Sequence, residues 1–308
     1  MKVGIILLLA MIAGIVILEL ALRRFAGFGN PLIYISDPDI GYLLAPSQKT
    51  RRFGNWIEIN QYSMRGSEIT LKPTENTIRI LLLGDSIVNG GWWTDQADIL
   101  SVQIQQQLTT ENMAVEVLNM SANSWGPPNQ LAYLQKHGIF HSEIVVLVIN
   151  TDDLFSKVPN PFIVGGDRNY PDKRPTFALE EVLTRYLAKA SVVPEPPQPS
   201  EYIQDPVGFN LDKVVKIKNY VLSQNTKFLL ALTPLLREIG EPGSRDYEVK
   251  ARQRLKALTK ENNITYIDFL PLFNQTPNPD SLYRDHIHLS VSGNNIVSQT
   301  ISKQLQQQ

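Results

Sequence analysis

Ile78-Arg79-Ile80-Leu81-Leu82-Leu83-Gly84-Asp85-Ser86-Ile87 decides the fold of this chain. A run of isoleucine and leucine that breaks on Gly-Asp-Ser reads as a strand buried on both faces and ending in a tight turn. A serine in that turn stands at the carboxyl end of a central strand. Open α/β sheets place their ligands there, and a following helix aims its first backbone N–H groups at a developing negative charge. Gly-Asp-Ser also marks ordinary turns, so the stretch alone does not assign chemistry.

Working outward, apolar β-rich runs alternate with helical periods from residue 78 onward. Strands are predicted at 78–83, 115–119, 144–150, 227–233 and 264–268, and helices at about 97–109, 128–138, 209–224, 246–261 and 291–306. The alternation predicts a parallel five-stranded sheet covered on both faces, a three-layer α/β/α core. A long excursion at about 153–208, with a helix expected around 178–190 and the run Val193-Pro194-Glu195-Pro196-Pro197-Gln198-Pro199, reads as a lid-like insertion above the strand ends.

Near the other end stands Tyr283-Arg284-Asp285-His286-Ile287-His288-Leu289-Ser290-Val291-Ser292-Gly293. A serine nucleophile needs a base to take its proton, and the base needs a carboxylate to fix its tautomer. Asp285 and His288 offer both from one loop, and the only other histidines are His137, His141 and His286. The plainer reading has Asp285 and Ser290 as helix caps, with His288 packed at the helix entrance.

Gly84-Asp85-Ser86-Ile87 after the first strand and Asp285-His286-Ile287-His288 before the last helix together resemble the SGNH/GDSL hydrolase superfamily over roughly residues 76–306. The resemblance implies a flavodoxin-like sheet and hydrolysis or transfer of an ester acyl group. Ser86 would be the nucleophile, His288 the base and Asp285 its orienting partner. Two family blocks are altered. The oxyanion glycine falls at Asn123 or Ser124, where a backbone N–H survives any change of side chain. The third block, normally Gly-x-Asn-Asp, is Asn150-Thr151-Asp152-Asp153. Asp152 then stands where an asparagine amide would donate to the oxyanion, and an ionised carboxylate only accepts.

Asn89-Gly90-Gly91-Trp92-Trp93, just past the serine, offers two indoles that either line a pocket or pack the helix entrance, and Trp125 poses the same choice. Arg65, in the turn Ser63-Met64-Arg65-Gly66, reads as a solvated arginine or an anion clamp.

Val3 to Leu22 is apolar except for Glu19 and, at about 1.5 Å per residue, just spans a hydrocarbon core of roughly 30 Å. Residues 1–24 therefore read as a transmembrane signal anchor, 25–77 as a small β-rich extension with a strand at Phe53 to Asn60, and 78–308 as the hydrolase-like domain. A cleaved signal peptide is the competing reading of the first segment. The family resemblance favours an extracytoplasmic site with an envelope ester, such as an acylated glycan, as substrate. A net charge of -1 gives no reason to expect nucleic acid. The absence of cysteine excludes disulfides and a thiolate nucleophile. No metal or cofactor is expected. Two other function classes stand beside the serine esterase or O-acyltransferase: a non-catalytic glycan-binding or envelope scaffold, and a metal site built from Asp85, Asp152 and Asp153.

Overall fold

The computed structural model describes residues 2–189 and 191–307. It opens on helix α1 (Lys2–Ala21), which buries none of its residues and continues as a π-helical turn over Leu22–Ala26. Two antiparallel hairpins follow, β1 (Tyr34–Asp37) with β2 (Gly41–Leu44) and β3 (Gln48–Arg52) with β4 (Asn55–Ile59). The single strand expected at Phe53–Asn60 is thus corrected to the second arm of a hairpin. Phe53 and Gly54, both at positive φ (46° and 93°), form the two-residue turn between the paired Arg52 and Asn55. A turn of that hand matches the twist of the flanking strands.

The remaining elements alternate as the periodicities predict: β5 (Thr77–Gly84), α2 (Ser86–Asn89), α3 (Leu100–Leu108), β6 (Ala114–Ser121), α4 (Pro127–His137) and β7 (Ile144–Asn150). Next come α5 (Ala178–Tyr186), α6 (Ser200–Gln204) and α7 (Pro206–Ser223), then β8 (Lys227–Thr233), α8 (Asp246–Glu261), β9 (Thr265–Asp268), α9 (Leu270–Asn274) and α10 (Val291–Leu305). α7 starts three residues earlier than its apolar period suggests. Asp205 caps it by accepting from the Gly208 N–H, and Pro206 occupies the first helical position, where no N–H is needed.

Strands β5–β9 form one parallel sheet in the order β6-β5-β7-β8-β9. Alternate residues feed two cores, because successive side chains of a strand point to opposite faces. Leu81, Leu83, Val145, Leu147 and Leu230 pack with α4, α7 and α8; Ile80, Leu82, Val146, Val148 and Leu229 pack with α3 and α10. The chain runs from β5 to one neighbour, β6, and then crosses to the other, β7. That reversal opens a crevice at the carboxyl end of β5, where Ser86 lies. Both hairpins send side chains, among them Tyr34, Tyr42, Ile57 and Ile59, into the first core. The extension is therefore packed continuously with the sheet.

Candidate active site

Three loops meet at that crevice. Asp85 caps α2 through the Ile87 N–H (2.8 Å), so Ser86 is the first residue of the helix and its own N–H has no partner within it. His288 reaches back from the loop before α10. Its Nε2 lies 3.0 Å from Ser86 Oγ, and its Nδ1 lies 2.8 Å and 3.1 Å from the two oxygens of Asp285. Asp285 also accepts from the backbone N–H groups of Ile287 (3.0 Å) and His288 (2.9 Å). Partial burial pushes its carboxyl up, but the His288 N–H and ring and the Ile287 N–H outweigh it and hold the group below the usual aspartate range. Trp93 packs on the His288 ring at 4.3 Å between centroids, tilted by 49°, and Arg284 lies over both Trp92 and Trp93.

Ser86 and His288 open onto a cavity of about 220 Å³ walled by Tyr34, Trp92, Trp93, Asn123, Tyr170 and Arg185. Of the two candidates for the missing glycine, Ser124 carries the left-handed backbone (φ 61°), the conformation that favours glycine. Its hydroxyl accepts from Tyr170 Oη at 2.9 Å, and Tyr42 Oη donates to the Asn123 carbonyl at 2.6 Å. The insertion and the first hairpin thus hold the turn that faces Ser86. A larger, open hollow of about 790 Å³ lies at the amino ends of the strands, lined by Ile78, His137, Ile144 and Thr226, on the wrong side of the sheet for this chemistry.

Asp152 is not in the wall of the Ser86 cavity. Its side chain is 53% exposed and lies 4.0 Å from the Arg237 guanidinium. Burial raises its carboxyl pKa, with Arg237 opposing and Glu248 adding to the rise. Asn150 instead takes the inner position: its amide donates to Asp85 (2.8 Å) and to Asp153 (3.2 Å), whose carboxylate also caps the Asn150 N–H. The grouping of Asp85, Asp152 and Asp153 is thus corrected: Asp85 and Asp153 meet across the Asn150 amide, while Asp152 turns outward, an arrangement that nothing within one loop signals. Asp85 is raised to about 6 by burial, against the Ile87 N–H, His288 and Asn150. Asp153 is pushed well up by burial and then by Asp85.

The aromatic questions divide. Trp92 and Trp93 wall the cavity, whereas Trp125 is a core residue whose indole donates to the Tyr42 carbonyl. Arg65 is neither solvated nor an anion clamp. It is buried and donates to the carbonyls of Asn89, Gly91 and Thr94, fastening the loop that carries the two tryptophans.

A sequence model of the GDSL-like lipase/acylhydrolase family matches residues 82–296, which spans both the Ser86 and the His288 loops. The chain belongs to that family. As a GDSL-type protein it is an ester hydrolase. Solved structures resemble the chain at low identity. A lipase/acylhydrolase from Enterococcus faecalis is 15% identical with a TM-score of 0.46, over 74% of this chain and 95% of that one. An acetylxylan esterase from Geobacillus stearothermophilus is 15% identical with a TM-score of 0.46, over 76% and 95%. Another acetyl xylan esterase is 16% identical with a TM-score of 0.48, over 73% and 98%. No curated protein sequence matches.

Proposed function

We propose that this GDSL hydrolase is a membrane-anchored serine esterase that transfers a short acyl group from an ester, through Ser86, His288 and Asp285. The observation that carries the reading is the continuous contact from Ser86 Oγ to His288 Nε2 (3.0 Å) and from His288 Nδ1 to Asp285 (2.8 Å). With Nδ1 protonated and donating to Asp285, Nε2 accepts the Ser86 proton as Oγ adds to the ester carbonyl. The oxyanion is received by the Ser86 N–H and by the turn at Asn123–Ser124. The intermediate collapses as His288 Nε2 returns the proton to the leaving alcohol, giving an acyl-serine and a free alcohol. Water, or a sugar hydroxyl in a transferase, then gives its proton to His288 as its oxygen adds to the acyl carbon, and His288 returns that proton to Ser86 Oγ as the acyl group leaves the serine.

The cavity of about 220 Å³ suits an acetyl-sized group, below the roughly 300–1,000 Å³ common for larger ligands. α1 supplies the anchor: a helical stretch over Lys2–Ala26 long and apolar enough to cross a bilayer, with none of its most apolar window buried. The reading puts the site outside the cytoplasm, where acylated glycans and other envelope esters occur; an alkaline phosphatase joined after Gln308 is then active, and inactive if the orientation is reversed. Ser86→Ala should remove turnover of a simple aryl acetate by several orders of magnitude, on the order of 10⁶-fold where rates allow, with an unchanged circular dichroism spectrum. Wild-type rates in Ser86→Ala would overturn the assignment.

A further inference from the structure

The end of α1 is built into the wall of the Ser86 cavity through one short helix, α5. Glu19, near the end of the apolar run, accepts from the first backbone N–H groups of α5, Ala178 (2.8 Å) and Leu179 (3.0 Å). Arg23 bonds Glu19 (2.7 Å) and the Thr176 carbonyl (2.7 Å). One helical arc further on, Glu181 is buried. It accepts from the Gly29 N–H (2.7 Å), pairs with Arg52 (2.8 Å) and bonds Arg185 (2.8 Å), and both arginines line the cavity that holds Ser86.

The adjacent arc of α5, continued by its C-cap Leu187, is apolar and largely exposed, with the Phe28 ring against the edge of Tyr186. Leu183, Tyr186 and Leu187, spaced i, i+3 and i+4, are 46%, 66% and 76% exposed. Such spacing makes one stripe on a helix, and an uncovered stripe of this kind marks an interaction face. Phe177 before α5, Phe25 beyond α1 and Phe53 at the β3–β4 turn are exposed as well, and the Phe53 N–H bonds the Ala26 carbonyl (3.1 Å). Aromatic and leucine side chains therefore ring the place where α1 leaves the domain. From Val3 to Glu19 the rise is roughly 24 Å at 1.5 Å per residue, so Glu19 sits close to the far boundary of a hydrocarbon core of about 30 Å. If α1 spans the bilayer, the α5 N-terminus that Glu19 caps comes near headgroup level.

We propose that the exposed stripe of α5 lies in the bilayer interface beside α1 and holds the mouth of the Ser86 cavity at headgroup level, so that the ester it takes is borne by a membrane-resident molecule. The inference rests on the anchor reading of α1 and narrows the substrate to lipid-linked esters. Continuity with α1 selects the bilayer as the occupant of the stripe: an interfacial helix needs an apolar face, a polar face and a position at the boundary, and aromatic side chains favour that depth.

The chain has no cysteine, so single reporters can be placed in the full-length protein. Polarity-sensitive labels on Ile12→Cys, Leu187→Cys and Asn219→Cys, the last exposed on α7, are read in phosphatidylcholine–phosphatidylglycerol vesicles with nitroxide lipid and aqueous iodide as quenchers. The expected result is lipid quenching at 12 and 187 and iodide quenching at 219. Iodide quenching at 187 with lipid quenching at 12 overturns the inference and leaves the anchor standing. A label at 187 reached by neither quencher places a second protein copy on the stripe and also overturns it. A label at 12 reached by iodide, or loss of the N-terminal segment from the purified chain, removes the anchor reading and the inference with it. The substrate half has its own readout. Leu183→Glu with Leu187→Glu should leave turnover of a soluble aryl acetate within about twofold and lower that of the acetate of a long-chain alcohol held in the vesicles about tenfold or more. An equal effect on the two substrates overturns the membrane-resident substrate.

Discussion

Asp285 and Asp85 flank the same Ser86–His288 pair, and their surroundings drive them in opposite directions. Asp285 is partly exposed, and two backbone N–H groups and a ring N–H converge on it, so it stays ionised through neutral pH. Asp85 is fully enclosed, shares the Asn150 amide with a second buried carboxyl, and is raised to about 6. The residue type is the same; the number of donors measured against the loss of water decides the charge. Asp285 is thus the carboxylate equipped to steady an imidazolium. Asp85 serves mainly as the cap that sets Ser86 on the first turn of α2.

The sharpest way to break this contrast is Asp285→Asn. It keeps the size and removes the charge and tautomer control, so turnover of an aryl acetate should fall about 10³- to 10⁴-fold with the fold unchanged. A loss below about tenfold would remove the orienting role from Asp285.

A smaller effect tests the buried side of the comparison. Groups whose folded pKa lies above the unfolded value stabilise the fold fully below the unfolded value, and the contribution fades as pH rises through the folded value. Asp85, at about 6, and Asp153, also pushed well up, therefore make the protein lose melting temperature as pH rises from about 4 through about 6. Asp153→Asn retains an oxygen to accept from Asn150 and removes one of the two titrations. Its melting temperature should fall less over that range than that of the wild type, and an equal or steeper fall would show that the pair does not titrate as described.

The smallest expected effect is at Asp152. Half exposed beside Arg237 and outside the cavity wall, its change to Asn should leave the pH–rate profile superimposable on that of the wild type. A higher rate for Asp152→Asn, or the loss of an alkaline decline, would put this carboxyl at the oxyanion.

The sheet was legible because β5, β7 and β8 are buried on both faces and so read as apolar runs, broken in β5 by the buried Arg79. The Ser86 and Asp285–His288 loops were legible for a related reason: each carries its chemistry within a few adjacent residues. The β3–β4 turn was hidden because Phe53 takes a left-handed conformation that its side chain does not advertise. The Asn150 bridge was hidden because it joins residues 65 positions apart. Arg65 was misjudged in the same way: its exposed-residue composition says nothing of three carbonyls gathered around it by another loop. Local chemistry can be read along the chain, while contacts between loops exist only once the sheet has placed them.

The central claim is that Ser86 is the nucleophile, made reactive by His288 with Asp285 behind it. Treatment of the full-length protein with a serine-directed aryl phosphonate, followed by intact-mass measurement and peptide mapping, tests it most directly. A single adduct on Ser86 is expected, formed in step with loss of aryl acetate turnover and absent from Ser86→Ala. Complete inactivation with the adduct on another residue, or with Ser86 unmodified, would contradict it.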